Sequence, residues 1–270
     1  MKVLALGLVG CASLVACQAH SGDDDGDYKV QPGGGGSGGG TTGNGGGGAT
    51  GDGGTDALTG DAGVAIAGRV CLLTDLRKLG QATACAATGA GNLTVSLGNR
   101  TAITAVNGAF SIIAPAGAQL WQVTGDDKSQ STAIEPSLVP FSTDALLPVV
   151  SVATYTNLES QNSVVGDAEQ QASVFIRVLK NGVPGVNVTA SSSPAGQRGA
   201  LYDAGTQVVW SDNLTGTGAA GVVWVPAIQI GQAGSSSASI TLTPPMGGTA
   251  RTVSVPVANQ AITFATFELQ

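Results

Sequence analysis

The sequence predicts an all-β protein: two consecutive antiparallel β-sandwich domains that follow a disordered, glycine-rich tether. Three observations predict it. Glycine is unevenly spread, with 17 of the 42 glycines in residues 33–63 of the 270-residue chain, which leaves an ordinary glycine load for a loop-rich β protein beyond them. After Gly63 the chain runs in short stretches rich in Val, Ile and Thr, broken by Gly, Asn and Pro about every eight to twelve residues, the rhythm of sandwiches and barrels. No stretch shows the apolar spacing of a convincing amphipathic helix. The part after Gly63, roughly 200 residues, is long enough for one large domain or two small sandwiches with real cores.

The elements follow from the N-terminus. Met1-Lys2 is a minimal basic start, and Val3 to Ala16 is an apolar run too short to span a bilayer, which is the form of an export signal. From Gln18 to Gly63 there are almost no apolar residues, so this segment cannot bury enough surface to fold. As a glycine-rich coil it would span on the order of 35–40 Å, enough to act as a spacer. Asp23, Asp24, Asp25 and Asp27 form a solvated acidic run within it.

Alternation predicts the strands of the first series at 65–73, 93–97, 101–106, 109–113, 119–123 and 146–152. Asn107-Gly108 accepts the positive φ angles of a type I′ turn, which predicts a hairpin between the strands on either side of it. The second series comprises 173–179, 186–190, 207–211, 221–226, 238–243, 252–257 and 262–267. The polar segment from Tyr155 to Gln171 separates the two, so the domains are expected at 64–155 and 156–270.

Two resemblances add to this. Leu14-Val15-Ala16-Cys17 resembles the lipobox of bacterial lipoproteins, which implies a signal peptide over residues 1–16 and a lipidated N-terminal Cys17 after cleavage. Leu8-Val9-Gly10-Cys11 is a second match, but it leaves a short hydrophobic segment, and Cys17 is the expected site. Gln18, in place of an aspartate, implies by the same resemblance an outer-membrane lipoprotein, facing the periplasm or the cell surface. Its partner there would be the lipid bilayer, since several acyl chains on one cysteine anchor a chain without a transmembrane helix.

Further on, Ile66-Ala67-Gly68-Arg69-Val70, Asn92 to Leu97 and Thr104 to Ile112, with Ala114-Pro115-Ala116-Gly117, resemble the carboxypeptidase regulatory-like domain, a transthyretin-like sandwich. In the second half Val174 to Val178, Asn181 to Val188 and Thr217 to Pro226 resemble a looser copy of that domain or a bacterial Ig-like domain. The segment from Cys71 to Cys85 is an insertion relative to the common core. Both resemblances imply fold more than function.

The chemistry-bearing residues are few. With Cys11 in the signal and Cys17 lipidated, Cys71 and Cys85 remain as an even pair, which predicts a disulfide in an oxidising compartment, worth about 3 kcal/mol through loop closure. The chain holds a single histidine, His20, inside the tether, where nothing would hold it as a catalytic base. No Ser-x-x-Lys, Gly-x-Ser-x-Gly or P-loop pattern occurs after Gly63, and the scattered carboxylates sit mostly in turn-like contexts. Asp126 and Asp127 are candidate oxygen ligands for a loop calcium ion. No resident cofactor is expected.

Trp210 and Trp224 each lie one residue from a valine on the same strand face, which predicts core positions. The alternative joins them to Tyr202, beside Asp203, in a carbohydrate-stacking platform. A net charge of −7 and a pI near 4.5 leave no basic surface for nucleic acid. The expected function is a non-enzymatic, membrane-anchored module for binding, adhesion or envelope structure, whose ligand is an unknown protein or polysaccharide. The alternative is a carbohydrate-binding accessory of a secreted polysaccharide-degrading system.

Overall fold

The computed structural model describes residues 64–270, apart from 89, 116, 118–119, 127–128, 137–143, 166–169 and 232–233. The signal, the tether, Cys17 and His20 lie outside the described residues, as does Asp127.

The fold is all-β with one short helix. In the first half the strands are β1 (Ala65–Leu73), β2 (Thr94–Leu97), β3 (Arg100–Ile103), β4 (Ala109–Ile113), β5 (Trp121–Thr124), β6 (Thr132–Glu135) and β7 (Asp144–Val150), followed by helix α1 (Val152–Gln161). The second half contains β8 (Gln171–Lys180), β9 (Val183–Pro184), β10 (Thr189–Ser193), β11 (Leu201–Asp203), β12 (Trp210–Ser211), β13 (Val222–Gln229), β14 (Ser235–Thr243), β15 (Arg251–Ala258) and β16 (Ala261–Leu269).

These strands make three layers. A ten-stranded central sheet runs β12-β11-β13-β8-β16-β6-β5-β2-β3, with β9 added to β8. Two three-stranded sheets, β4-β1-β7 and β10-β14-β15, complete the set. Alternation along the central strands sends side chains to two separate cores, as the period of two requires. From β8 and β13, Phe175, Val222 and Trp224 join Ile66, Val70 and Leu147 of the first outer sheet. Val174, Ile176, Val223 and Val225 join Ile240, Leu242 and Val255 of the second.

The halves are sandwich-like, as expected, but they are not consecutive closed modules, and pairing is not purely antiparallel. β16 lies between β8 and β6 and pairs parallel with both, and β1 pairs parallel with β7. The reason lies in the residues of β16. Ile262 and Phe264 are buried on one face, Thr263 and Ala265 on the other, and a strand apolar on both faces belongs in the middle of a sheet.

The expected boundary at residue 155 falls inside α1. The helix begins where the Ser151 hydroxyl accepts from the Thr154 backbone N–H at 3.1 Å, a normal N-cap. Only Leu158 is fully buried in it, so its apolar face is too narrow to read as an amphipathic helix. At its end the buried Asn162 side chain accepts from Trp210 N–H at 2.8 Å and donates to the Val208 carbonyl at 3.0 Å. These bonds tie the helix to β12.

The Asn107-Gly108 hairpin also differs from expectation. Gly108 has φ +83 and Asn107 is not in the positive-φ region, and Gly108 N–H bonds back to the Ala105 carbonyl at 2.8 Å. The turn is real, but β3 then pairs with β2 and β4 with β1, so the turn carries the chain from one layer to another. Gly108 is required there on two counts, its positive φ and the Val70 carbonyl oxygen, which would stand 2.3 Å from an added Cβ.

Candidate functional site

The structure joins Cys71 and Cys85 in a disulfide. The bridge closes the insertion that departs from the resembled core, and the insertion has a packing task. Leu76 and Leu79 are buried in the same core as Trp210, Trp224 and Phe264 of the second half. Arg77 donates from Nη1 to the Gly205 carbonyl at 2.8 Å and pairs with Asp75 at 2.7 Å, while the Gln207 amide donates to the Thr74 carbonyl. Burial alone would push the Asp75 carboxyl up, but hydrogen bonds from the Arg77 side chain and backbone, with its charge, hold it below the ordinary value.

The aromatic residues do not form a platform. Trp210, Trp224 and Tyr202 are all buried, at 4%, 0% and 5% exposure. They also face opposite ways: the tryptophans belong to the core under the insertion, and Tyr202 to the core under β14 and β15. Phe175 stacks on Trp224 at 5.5 Å and meets Trp210 edge-on at 5.8 Å. The Tyr202 hydroxyl accepts from Ala190 N–H at 2.7 Å and so holds β10. Asp203 is buried as well, with Oδ1 accepting from Gly205 N–H at 3.2 Å.

Asp126 is engaged in its own turn, accepting from the backbone N–H of Ser129 at 2.7 Å and of Gln130 at 2.8 Å. No group of three or more His, Cys, Asp or Glu side chains placed to hold a metal ion occurs among the described residues.

Two clefts open along the seam between the halves. The first, about 270 Å³, lies between α1, the start of β8 and the β15–β16 turn, and is lined by Tyr155, Glu159, Ser173, Ala227 and Ile262. The Tyr155 hydroxyl meets the Ser173 hydroxyl and the Glu159 carboxylate. Burial drives the Tyr155 phenol far above its ordinary range, and the Glu159 charge adds to this. The Glu159 carboxyl is itself raised by burial, its bond to Tyr155 opposing the shift. These hydrogen bonds tie α1 to β8.

The second cleft, about 320 Å³, lies between the central sheet, β7 and the disulfide-bridged insertion. Its polar lining is Arg177 from β8, Thr266 from β16, Glu135 from β6 and Asp144 from β7. Glu135 is 6% exposed. Sequence reading includes Glu135, Asp144 and Glu159 only among scattered carboxylates and passes over Tyr155, Ser173 and Arg177. No local motif marks them, because each cleft draws on elements far apart in the chain.

Comparison with protein-family models and with curated proteins finds no match to this chain.

Proposed function

We propose that this protein is an exported lipoprotein, held to the outer membrane through Cys17, that presents two fused β-sandwiches on a glycine-rich spacer as a non-enzymatic binding or structural module of the cell envelope. The observation that carries this reading is the bond between Cys71 and Cys85, because a disulfide that packs an insertion into the core fits an oxidising compartment. The lipobox-like end of the apolar leader supports the same address, as does the resemblance to regulatory-like and Ig-like sandwiches. The accessory reading, carbohydrate binding through Tyr202, Trp210 and Trp224, loses support from the burial of all three rings.

The test is protease accessibility on intact cells with an epitope at Gln270, comparing the parent with Cys17→Ala. The parent is expected in the membrane fraction and labelled by palmitate, and Cys17→Ala in neither state. Digestion without lysis would mean surface display, and protection until the outer membrane is opened a periplasmic orientation. Equal membrane retention of both proteins would overturn the lipoprotein reading.

A further inference from the structure

We propose that the cleft between α1, the start of β8 and the β15–β16 turn binds a small primary amine, whose ammonium group pairs with the Glu159 carboxylate and whose short alkyl body lies against the apolar lining. The proposal concerns the folded region alone and stands apart from the anchor at Cys17.

Glu159 is the starting point. Among the described residues that line the cleft it is the one charged side chain, and it is half-buried on α1. Tyr155, one turn earlier on the helix, meets its carboxylate, and the Tyr155 hydroxyl also meets that of Ser173 on β8. Those bonds fix the carboxylate in place but bring it no positive charge. Among the described residues the ion pairs are Arg77 with Asp75 and Arg198 with Asp212, so no lysine or arginine there offsets Glu159. A carboxylate taken partly out of water without a cation is costly, and burial raises this one. An ammonium ion in the cleft supplies the missing charge through a charge-assisted hydrogen bond.

The remainder of the cleft selects what carries the ammonium. Its apolar lining is Val152, Ala172, Ala227, Ala261 and Ile262, and the alanines among them, with only a methyl group each, leave the space open. Ala227 sits in a β-bulge: β13 pairs with β8 up to Val225 and again from Ile228, with a shift of register between them. Its φ is +50, a left-handed conformation uncommon for a residue with a Cβ, and bulges and strained positions of this kind gather beside binding sites. A carboxylate ligand would meet the like charge of Glu159, and a neutral alcohol would leave that charge unpaired. The cleft therefore discriminates by repulsion as well as attraction. Its volume, about 270 Å³, lies just under the usual range for small-molecule sites, about 300–1,000 Å³, which suits a body of a few carbons.

The experiment titrates the purified full-length protein with ethylamine, propylamine and butylamine, beside propanol, butanol, propionate and butyrate, at about pH 7, where alkylamines are protonated. Heat release and thermal stability are followed. At least one amine is expected to bind saturably, at least about tenfold more tightly than the alcohol or carboxylate of similar length. Glu159→Gln removes the charge, keeps an acceptor for Tyr155, and should bind amine no better than alcohol. Thr156→Lys is the second variant. Thr156 is exposed on α1, three residues before Glu159, so the introduced ammonium is within reach of the carboxylate and should lower the affinity for amine at least about tenfold. The proposal is overturned if none of the amines binds at about 10 mM, if amine and alcohol bind alike in the parent, or if either variant, folded, binds amine as the parent does.

Discussion

Trp210 and Trp224 meet edge to face at 6.0 Å, with Phe175 and Phe264 stacked beside them at 5.8 Å from each other, and the two halves of the molecule close on this cluster. Trp210→Ala should cost about 3–5 kcal/mol, the usual loss when a large buried ring is removed, read from the denaturation midpoint. Oligosaccharides should leave the tryptophan emission of the parent unchanged; a saturable change would restore the carbohydrate reading. Glu159 gives a pH-dependent test at the same scale. Its carboxyl is raised by burial, so its contribution to stability is complete below the unfolded value, near 4.5, and is lost as pH rises through the higher folded value. Glu159→Gln removes that loss and still accepts from Tyr155. Its melting temperature should exceed the parent's by about 1–3 °C at pH 7, with the gap closing below about pH 4.5. A gap that persists in acid would mean the carboxyl is not the cause.

At the scale of elements, the Cys71–Cys85 insertion acts as a clasp between the halves. Opening it releases Leu76 and Leu79 from the core and the Arg77 contact with Gly205. Cys71→Ser should lower stability by about 3 kcal/mol, and reductant should do the same to the parent; no reductant effect would mean the bridge does not support the fold. This pair was legible in the sequence from parity alone. Most strands were legible too, because alternation survives wherever one face is buried, and β1 and β4 run as read. Pairing was not legible. Asn107-Gly108 marks a turn in any context, but whether the flanking strands pair with each other depends on burial that no local stretch encodes. α1 escaped notice because its single buried leucine gives no helical period, and its hold comes from Asn162 reaching Val208 and Trp210. The clefts were the least legible part: Glu135, Arg177 and Thr266 are brought to one face only by strand order.

The whole molecule behaves as two sandwiches with one shared sheet and one shared core. Near-ultraviolet circular dichroism and tryptophan fluorescence should therefore report one coincident thermal transition for the folded region. Two separated transitions would show that the halves hold their folds independently. The parallel pairing of β16 with β6 matters most here, since among the described residues it alone joins strands of the two halves within the sheet.

The position of β16 also sets a sequence of events. Ala261 pairs with Thr132, so ribosomal synthesis must add about 130 residues after the first partner before the second exists, and contacts that distant form slowly. Throughout that interval the neighbouring borders of β6 and β8 have no strand between them, a state open to wrong partners and in need of chaperone shielding. The strand that joins the halves is made only after both of its neighbours, and until it arrives the seam between them stays open.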